Sequence, residues 1–280
     1  MANGPKKTRV ESIAGPQSPL GVAISAQDQV TMDMVREAIV TKRARLAWQP
    51  VVLARDPTRV AFHEGLIRIL DHQNRVIPAR DFIDAVEAHE TGRQIDCLAL
   101  EIGLNTLARH PGLRISINMS ARSIGYPRWM RVLKRGLAAS PTIGERLILE
   151  ITESSAMLVP ELVISFMEEL QREGIAFAMD DFGSGYTAIR FFKDFCFDIL
   201  KIDGQFIRNI HADPDNAALV GALMSIGRHF HMFTVAEAVE TAAEAKVLQA
   251  MGVECLQGYL FGAPSLKPDF ATQAPLRKAG

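Results

Sequence analysis

The sequence predicts an α/β fold: a TIM-like (β/α)8 barrel with one antiparallel strand. Strand-like and helix-like segments alternate along most of the 280 residues, which implies a largely parallel sheet. Eight segments carry strand patterning, and α/β barrels commonly use a chain of this length for a single domain. The link between the first two strands, residues 54–59, is short and contains Pro57. It leaves no room for a helix, so these strands form a hairpin and one runs antiparallel to the rest.

Residues 1–30 are rich in Gly, Pro, Ser, Gln and Lys and read as a flexible tail. A helix is predicted over Thr31–Arg43, where Met32, Val35, Ile39 and Val40 recur at helical spacing. The predicted strands are Leu46–Val52, Val60–Ile69, Arg114–Ser120, Leu147–Thr152, Ile175–Asp180, Ile199–Asp203, Phe233–Glu237 and Glu254–Leu260. Between most of them lie helical stretches: Ala79–His89, Arg93–Ala108, Arg128–Ala138, Pro160–Glu173, Asn216–His229 and Ala242–Met251. Val163, Phe166, Met167 and Leu170 form an i, i+3, i+4, i+7 stripe that marks one helix's buried face. The barrel is assigned to residues 31–266 and a C-terminal tail to residues 267–280.

Composition narrows the function. A hydrophobic fraction of 48% supports a sizeable core, and a net charge of −1 gives no global attraction to nucleic-acid polymers or membranes. Cys97, Cys196 and Cys255 are odd in number and widely spaced, which argues against disulfides or a zinc site and fits a reducing, cytoplasmic setting. No secretory leader is apparent after Met1, and no run of about 18 apolar residues predicts a membrane span.

Acidic and amide residues recur at strand ends. In a barrel these ends converge on one mouth, which would collect Glu64, Asn118, Glu150, Asp180, Asp181, Lys201, Glu237 and Gln257. Oxygen donors without His or Cys suit hard cations such as Mg²⁺ or Mn²⁺. Clustered carboxylates repel one another unless cations neutralise them, and a bridged metal pair activates water for phosphodiester attack. Lys201 adds a positive charge suited to water or a phosphoryl oxygen. Singly, each residue has an ordinary reading: Glu64 as a surface ion pair with Arg68, Asp180-Asp181 as turn chemistry, Lys201 as a solvated lysine, and Glu237 and Glu240 as helix-start acids. Their recurrence at successive strand ends favours a site. His63 alternates away from Glu64 along its strand. His229 and His231 have no converging partner in the sequence and read as structural or exposed.

The motifs resemble those of EAL-family cyclic di-GMP phosphodiesterases. They are Trp48-Gln49-Pro50-Val51-Val52, Glu64-Gly65-Leu66-Ile67-Arg68, Ile117-Asn118-Met119-Ser120, Leu149-Glu150-Ile151-Thr152-Glu153, Asp180-Asp181-Phe182-Gly183-Ser184-Gly185-Tyr186, Leu200-Lys201-Ile202-Asp203, Ala236-Glu237-Ala238-Val239-Glu240-Thr241 and Gln257-Gly258-Tyr259-Leu260-Phe261. The resemblance implies hydrolysis of cyclic di-GMP to linear pGpG with two Mg²⁺ or Mn²⁺ ions, and inhibition by Ca²⁺. It implies that Glu64, Asn118, Glu150 and Asp180 hold one metal, that Asp180 bridges, and that Asp181 and Glu237 serve the second. It further implies that Lys201 orients water, Arg68 contacts a phosphate, Gln257 lines the pocket, and Glu153 and Glu240 support the loops. A homodimer is implied too, coupled to the loop that starts at Asp181.

The chain departs from the family pattern in four places, one of them mild: Ser184 stands where Thr is usual. Gly65 stands where the signature has Ala, Ala238 where Gly is usual, and the segment Thr187–Phe192 has drifted. Gly65 leaves the Glu64 ligand intact, whereas Ala238 and the drifted loop keep a second reading open, a cyclic di-GMP receptor with little or no turnover. A barrel enzyme acting on another phosphate ester is a third.

Overall fold

The computed structural model describes residues 19–183 and 192–270, with side chains described from residue 27 onward. A helix, α1 (Pro19–Val40), precedes a strongly paired hairpin, β1 (Ala44–Leu53) and β2 (Asp56–Leu70). A short strand β3 (Val76–Pro78) and helices α2 (Ile83–Val86) and α3 (Glu90–Arg109) follow. The barrel then proceeds as β4 (Ile115–Asn118), α4 (Pro127–Leu137), β5 (Leu147–Thr152), α5 (Glu153–Ala156), α6 (Pro160–Gln171), β6 (Ala176–Phe182) and β7 (Ile199–Ile202). It ends with α7 (Gly204–Ile207), α8 (Pro214–His229), β8 (Phe233–Ala236), α9 (Ala242–Met251) and β9 (Cys255–Gln257).

The sheet closes, as the sequence predicts. β1 pairs antiparallel with both β2 and β9, while β2, β4, β5, β6, β7, β8 and β9 pair parallel in that order. β1 is therefore the one reversed strand of an eight-stranded barrel, and β3 adds to β2 outside the closed ring.

Several elements differ from the prediction. The first helix begins at Pro19 and not at Thr31, so residues 19–30, assigned to the tail by composition, are helical. The stretch Ala79–His89 is a 3-10 turn at Ala79–Asp81 followed by one turn of helix, and β3 carried no strand signal because it is only three residues long. Phe270, in the segment assigned to the C-terminal tail, makes edge contacts with Trp48 and His63 at ring distances of 5.7 and 5.2 Å.

Local chemistry explains the well-predicted helices. Pro127, Pro160 and Pro214 occupy helix starts, where the missing N–H costs nothing. Thr241 and Glu244 form a capping box on α9, and Gly252 ends it with φ 85°. On β5, Leu147, Leu149 and Ile151 face the helices, whereas Ile148 packs in a separate interior cluster with Val51, Phe62, Ala178, Ile199, Val235 and Cys255. That interior cluster is the floor beneath the site. Alternation then sends Glu150, two residues beyond Ile148, into the mouth.

Candidate active site

At the mouth, one buried ammonium sits among four carboxylates. Lys201 Nζ lies 2.7 Å from Glu150 Oε2, 2.8 Å from Asp180 Oδ1, 2.8 Å from Glu237 Oε1 and 3.4 Å from Glu64 Oε2. Lys201 is 1% exposed, so the reading as a solvated strand-end lysine is excluded. Amides complete the inner ring. Asn118 Nδ2 donates to Glu64 Oε1 at 2.8 Å, and Gln257 Nε2 donates to Glu64 Oε2 at 2.6 Å.

Strand register accounts for this convergence. Asn118 stands beside Glu150, and Thr152 beside Asp180, in the parallel ladders. The β6–β7 ladder breaks between Met179 and Phe182, which places Asp180 and Asp181 in an irregularity at the strand end. Asp181 adopts φ 55°, a left-handed conformation that Asp tolerates better than most residues. The two adjacent carboxylates can thereby serve different directions from one strand tip.

Four carboxylates surround a single ammonium, with Asp181 beside them, and the proton affinities record the imbalance. Burial and the Glu64 charge push Glu150 up to about 8. Burial and Asp180 push Asp181 up to about 6. Burial also raises Asp180, and raises Glu237 well above the usual carboxylate range. Burial opposes ionisation of Glu64, yet Lys201 and the hydrogen bonds from Gln257, Asn118 and Lys201 leave it lowered. Burial likewise disfavours charged Lys201, but Asp180, Glu150, Glu237 and Glu64 outweigh it and hold the amine strongly protonated. Such a ring is satisfied by retained protons or by added cations.

The donor set fits divalent metal. Glu64, Glu150 and Asp180 can each place one oxygen within 4.8 Å of the others, as can Asp180, Asp181 and Glu237. Asp180 belongs to both groups. Glu150 Oε1 and Asp180 Oδ1 are buried without a hydrogen-bond partner, although Oδ1 lies close to the Lys201 ammonium. All these donors are hard oxygens, as Mg²⁺ and Mn²⁺ prefer.

The sequence matches the EAL domain family over residues 32–264. The chain belongs to the EAL domain family. The bifunctional diguanylate cyclase/cyclic di-GMP phosphodiesterase MucR of Pseudomonas aeruginosa is 31% identical over 248 residues, covering 86% of this chain and 36% of MucR. The cyclic di-GMP phosphodiesterase PdeF of Escherichia coli is 31% identical over 245 residues, covering 85% of this chain and 32% of PdeF. The chain thus spans about a third of the length of these curated relatives. Among solved structures, the PaMucR phosphodiesterase in complex with c-di-GMP superposes with a TM-score of 0.77 at 30% identity, covering 84% of this chain and 97% of that one. The FimX EAL domain from Pseudomonas aeruginosa bound to c-di-GMP has a TM-score of 0.78 at 23% identity, covering 86% of this chain and 98% of that one, a likeness of fold.

Other predicted site residues of this EAL domain lie around the inner ring. Arg68 is four residues beyond Glu64 on β2, half-buried, with Nη1 donating to the Ile67 carbonyl at 2.9 Å. Glu153 starts α5 and its Oε2 accepts from Gly183 N at 3.0 Å. Glu240 is exposed on the wall of a cavity of about 310 Å³, which Gln257, Tyr259 and Arg208 also line. Of the drifted segment, residues 187–191 lie outside the described residues, as does Ser184, while Phe192 is buried with its ring 5.0 Å from that of Phe182.

At Ala238, the position where glycine is usual, the backbone is left-handed with φ 51°. At Gly65, a Cβ would meet Ile117 Cδ1 at 2.8 Å and Trp48 Cζ3 at 3.0 Å, so neighbouring side chains fill the space an alanine methyl would need. Two further residues escaped the sequence reading. Gln49 pairs with Glu64 across the hairpin, and its Oε1 accepts from Gln257 Nε2 at 3.3 Å. Hairpin register could have found it, because directly paired residues share a face. Asp96 on α3 holds the turn after Asn118, its Oδ2 accepting from Ser120 N at 3.0 Å and Ser123 Oγ at 2.6 Å. It had no local signal. Among the described residues, no helix is long and apolar enough to cross a membrane.

Proposed function

We propose that the protein hydrolyses cyclic di-GMP to linear pGpG with two divalent cations, Mg²⁺ or Mn²⁺. The carrying observation is the pair of oxygen-donor groups that share Asp180 around a buried lysine. Glu64, Asn118, Glu150 and Asp180 would hold one cation, and Asp180, Asp181 and Glu237 the other. Bound there, the cations would supply Lewis-acid charge to phosphoryl oxygens and acidify a water.

The chain's own residues do the rest. Lys201 donates to the attacking water and fixes its position within the ring. Arg68 offers a guanidinium fork to a phosphate, and Gln257 and Gln49 line the pocket beside Glu64. As the water oxygen bonds to phosphorus the bond to the 3′-oxygen breaks. Glu237, the most open of the four carboxylates at Lys201 and ionised once cations would offset the neighbouring charges, accepts the water's proton at its carboxylate oxygen. The departing 3′-oxygen takes up a proton from solvent at the open mouth. Glu153 steadies the loop after Asp181 through Gly183. The names of MucR and PdeF support this substrate.

Product analysis with Mn²⁺ tests the reading. The native protein should release pGpG, and Glu64→Ala should release none. Ca²⁺, with looser coordination, should occupy the site and inhibit. Equal turnover in Ca²⁺ and Mg²⁺ would sink the two-metal assignment. One observation favours a second reading, a receptor with little turnover: left-handed Ala238 adjoins Glu237. Calorimetric binding of cyclic di-GMP without any product would select it.

A further inference from the structure

Opposite the β1–β2 hairpin residues Gln49, Glu64 and Leu66, the wall of the substrate cavity comes from three further segments, and a single buried side chain joins two of them. Gly204 and Arg208 come from the α7 segment, Glu237, Ala238 and Glu240 from the β8–α9 loop, and Gln257, Gly258 and Tyr259 from the end of β9. Glu244 is 4% exposed. Its Oε1 accepts from Asn209 N at 2.9 Å, while its Oε2 accepts from Glu240 N at 3.0 Å and Thr241 N at 2.9 Å. The third segment is tied to the second by backbone, with Val239 N donating to Gln257 O at 2.9 Å and Leu260 N donating to Val239 O at 3.1 Å.

The joined segments adopt backbone that favours glycine. Asn209 has φ 57° and Ala238 has φ 51°. Each lies next to a cavity residue, Arg208 in one case and Glu237 and Glu240's segment in the other. Left-handed non-glycine residues persist only where their surroundings hold them. Glu244 supplies that hold at Asn209 directly and at Ala238 through the amides two and three residues on.

We propose that Glu244 is a positioning residue that locks the α7 segment to the β8–α9 loop and so presents Arg208 to the bound substrate. The assignment rests on the cyclic dinucleotide reading above and deepens it. Arg208 is exposed on the cavity wall, and it gives the far half of a dianionic ligand a cation besides Arg68. A carboxylate is required, because three N–H donors approach its two oxygens from two sides. A glutamine has one acceptor oxygen. It can keep the capping box at Glu240 and Thr241, but it then turns its own N–H groups toward Asn209 N.

Glu244→Gln therefore separates the link from the helix cap. Amide hydrogen exchange should show Asn209 released by about tenfold or more while Thr241 stays protected. The Kd for cyclic di-GMP and the KM should rise about tenfold, with kcat within about twofold, the pattern of lost binding and not of lost chemistry. Arg208→Met should give the same rise, and the double variant should be no worse than either single one. A released Asn209 with unchanged Kd and KM overturns the proposal, as does additivity of the two variants. Failure of the native protein to bind or cleave cyclic di-GMP refutes the proposed function, whereas unprotected Asn209, Glu240 and Thr241 amides in the native protein refute the lock whatever the substrate.

Discussion

Ala238 and Gly204 should be energetically coupled through one methyl group. A Cβ built on Gly204 would lie 2.5 Å from Ala238 Cβ, while its next neighbours, Ala238 Cα and Glu237 O, are both 3.8 Å away. The clash at position 204 is therefore entirely with the Ala238 methyl. In the native background, Gly204→Ala should cost about 1–3 kcal/mol of overpacking, partly offset by about 0.4–1 kcal/mol from a less flexible unfolded chain. Ala238→Gly relieves the left-handed conformation at φ 51°, worth about 1–2 kcal/mol. It returns about 0.4–1 kcal/mol to unfolded-state entropy, so the variant should be more stable by up to about 1.5 kcal/mol. In the Ala238→Gly background the remaining contacts at 204 are ordinary, and Gly204→Ala should become neutral or stabilising. Urea denaturation of the four proteins should then give a coupling energy of about 1–3 kcal/mol. Additivity within about 0.5 kcal/mol would refute the steric account, and a destabilised Ala238→Gly would refute the claim of strain.

Two further outcomes follow from other sites. Burial lowers His63 from its ordinary 6.5 to about 4, so the folded state demands a neutral imidazole. Its contribution is present in full above pH 6.5 and is lost as pH falls toward 4, by up to about 3 kcal/mol. Urea titrations at pH 7 and 4.5 should show that drop, and His63→Leu should lose less stability across the same interval; an identical loss contradicts the assignment. Gly65→Ala restores the family residue into space already taken by Ile117, Trp48 and Leu46. It should lower stability by about 1 kcal/mol, and Ile117→Val should recover much of that loss; an unchanged thermal midpoint for Gly65→Ala alone would show that the neighbours yield freely.

The inner ring was legible because it uses strand ends, where alternation and a roughly fixed βα spacing give each residue a place. Asn118, Glu150, Asp180, Lys201, Glu237 and Gln257 stand at or beside strand ends, whereas Glu64 lies within the long strand β2; all reach the mouth or the cavity beside it. Gln49 was missed because its strand runs in reverse, so its side chain enters the barrel from mid-strand. Asp96 and Glu244 were missed because they act from helices on backbone N–H groups, and a carboxylate in a helix looks the same in sequence whether it faces solvent or a loop. β3 and the helical residues 19–30 lacked signal because neither a three-residue strand nor a polar helix start carries hydrophobic periodicity.

The sequence by itself determined the alternating architecture, the hairpin reversal between β1 and β2 and the acidic character of the mouth, because each follows from local periodicity, link length and residue type. Only the tertiary structure decided that one ammonium is shared by four carboxylates, that Ala238 is held left-handed against Gly204, and that Glu244 joins two walls of the cavity. Those are through-space facts between residues far apart along the chain. Burial sets their energies by removing the water that would otherwise satisfy each charge and each N–H.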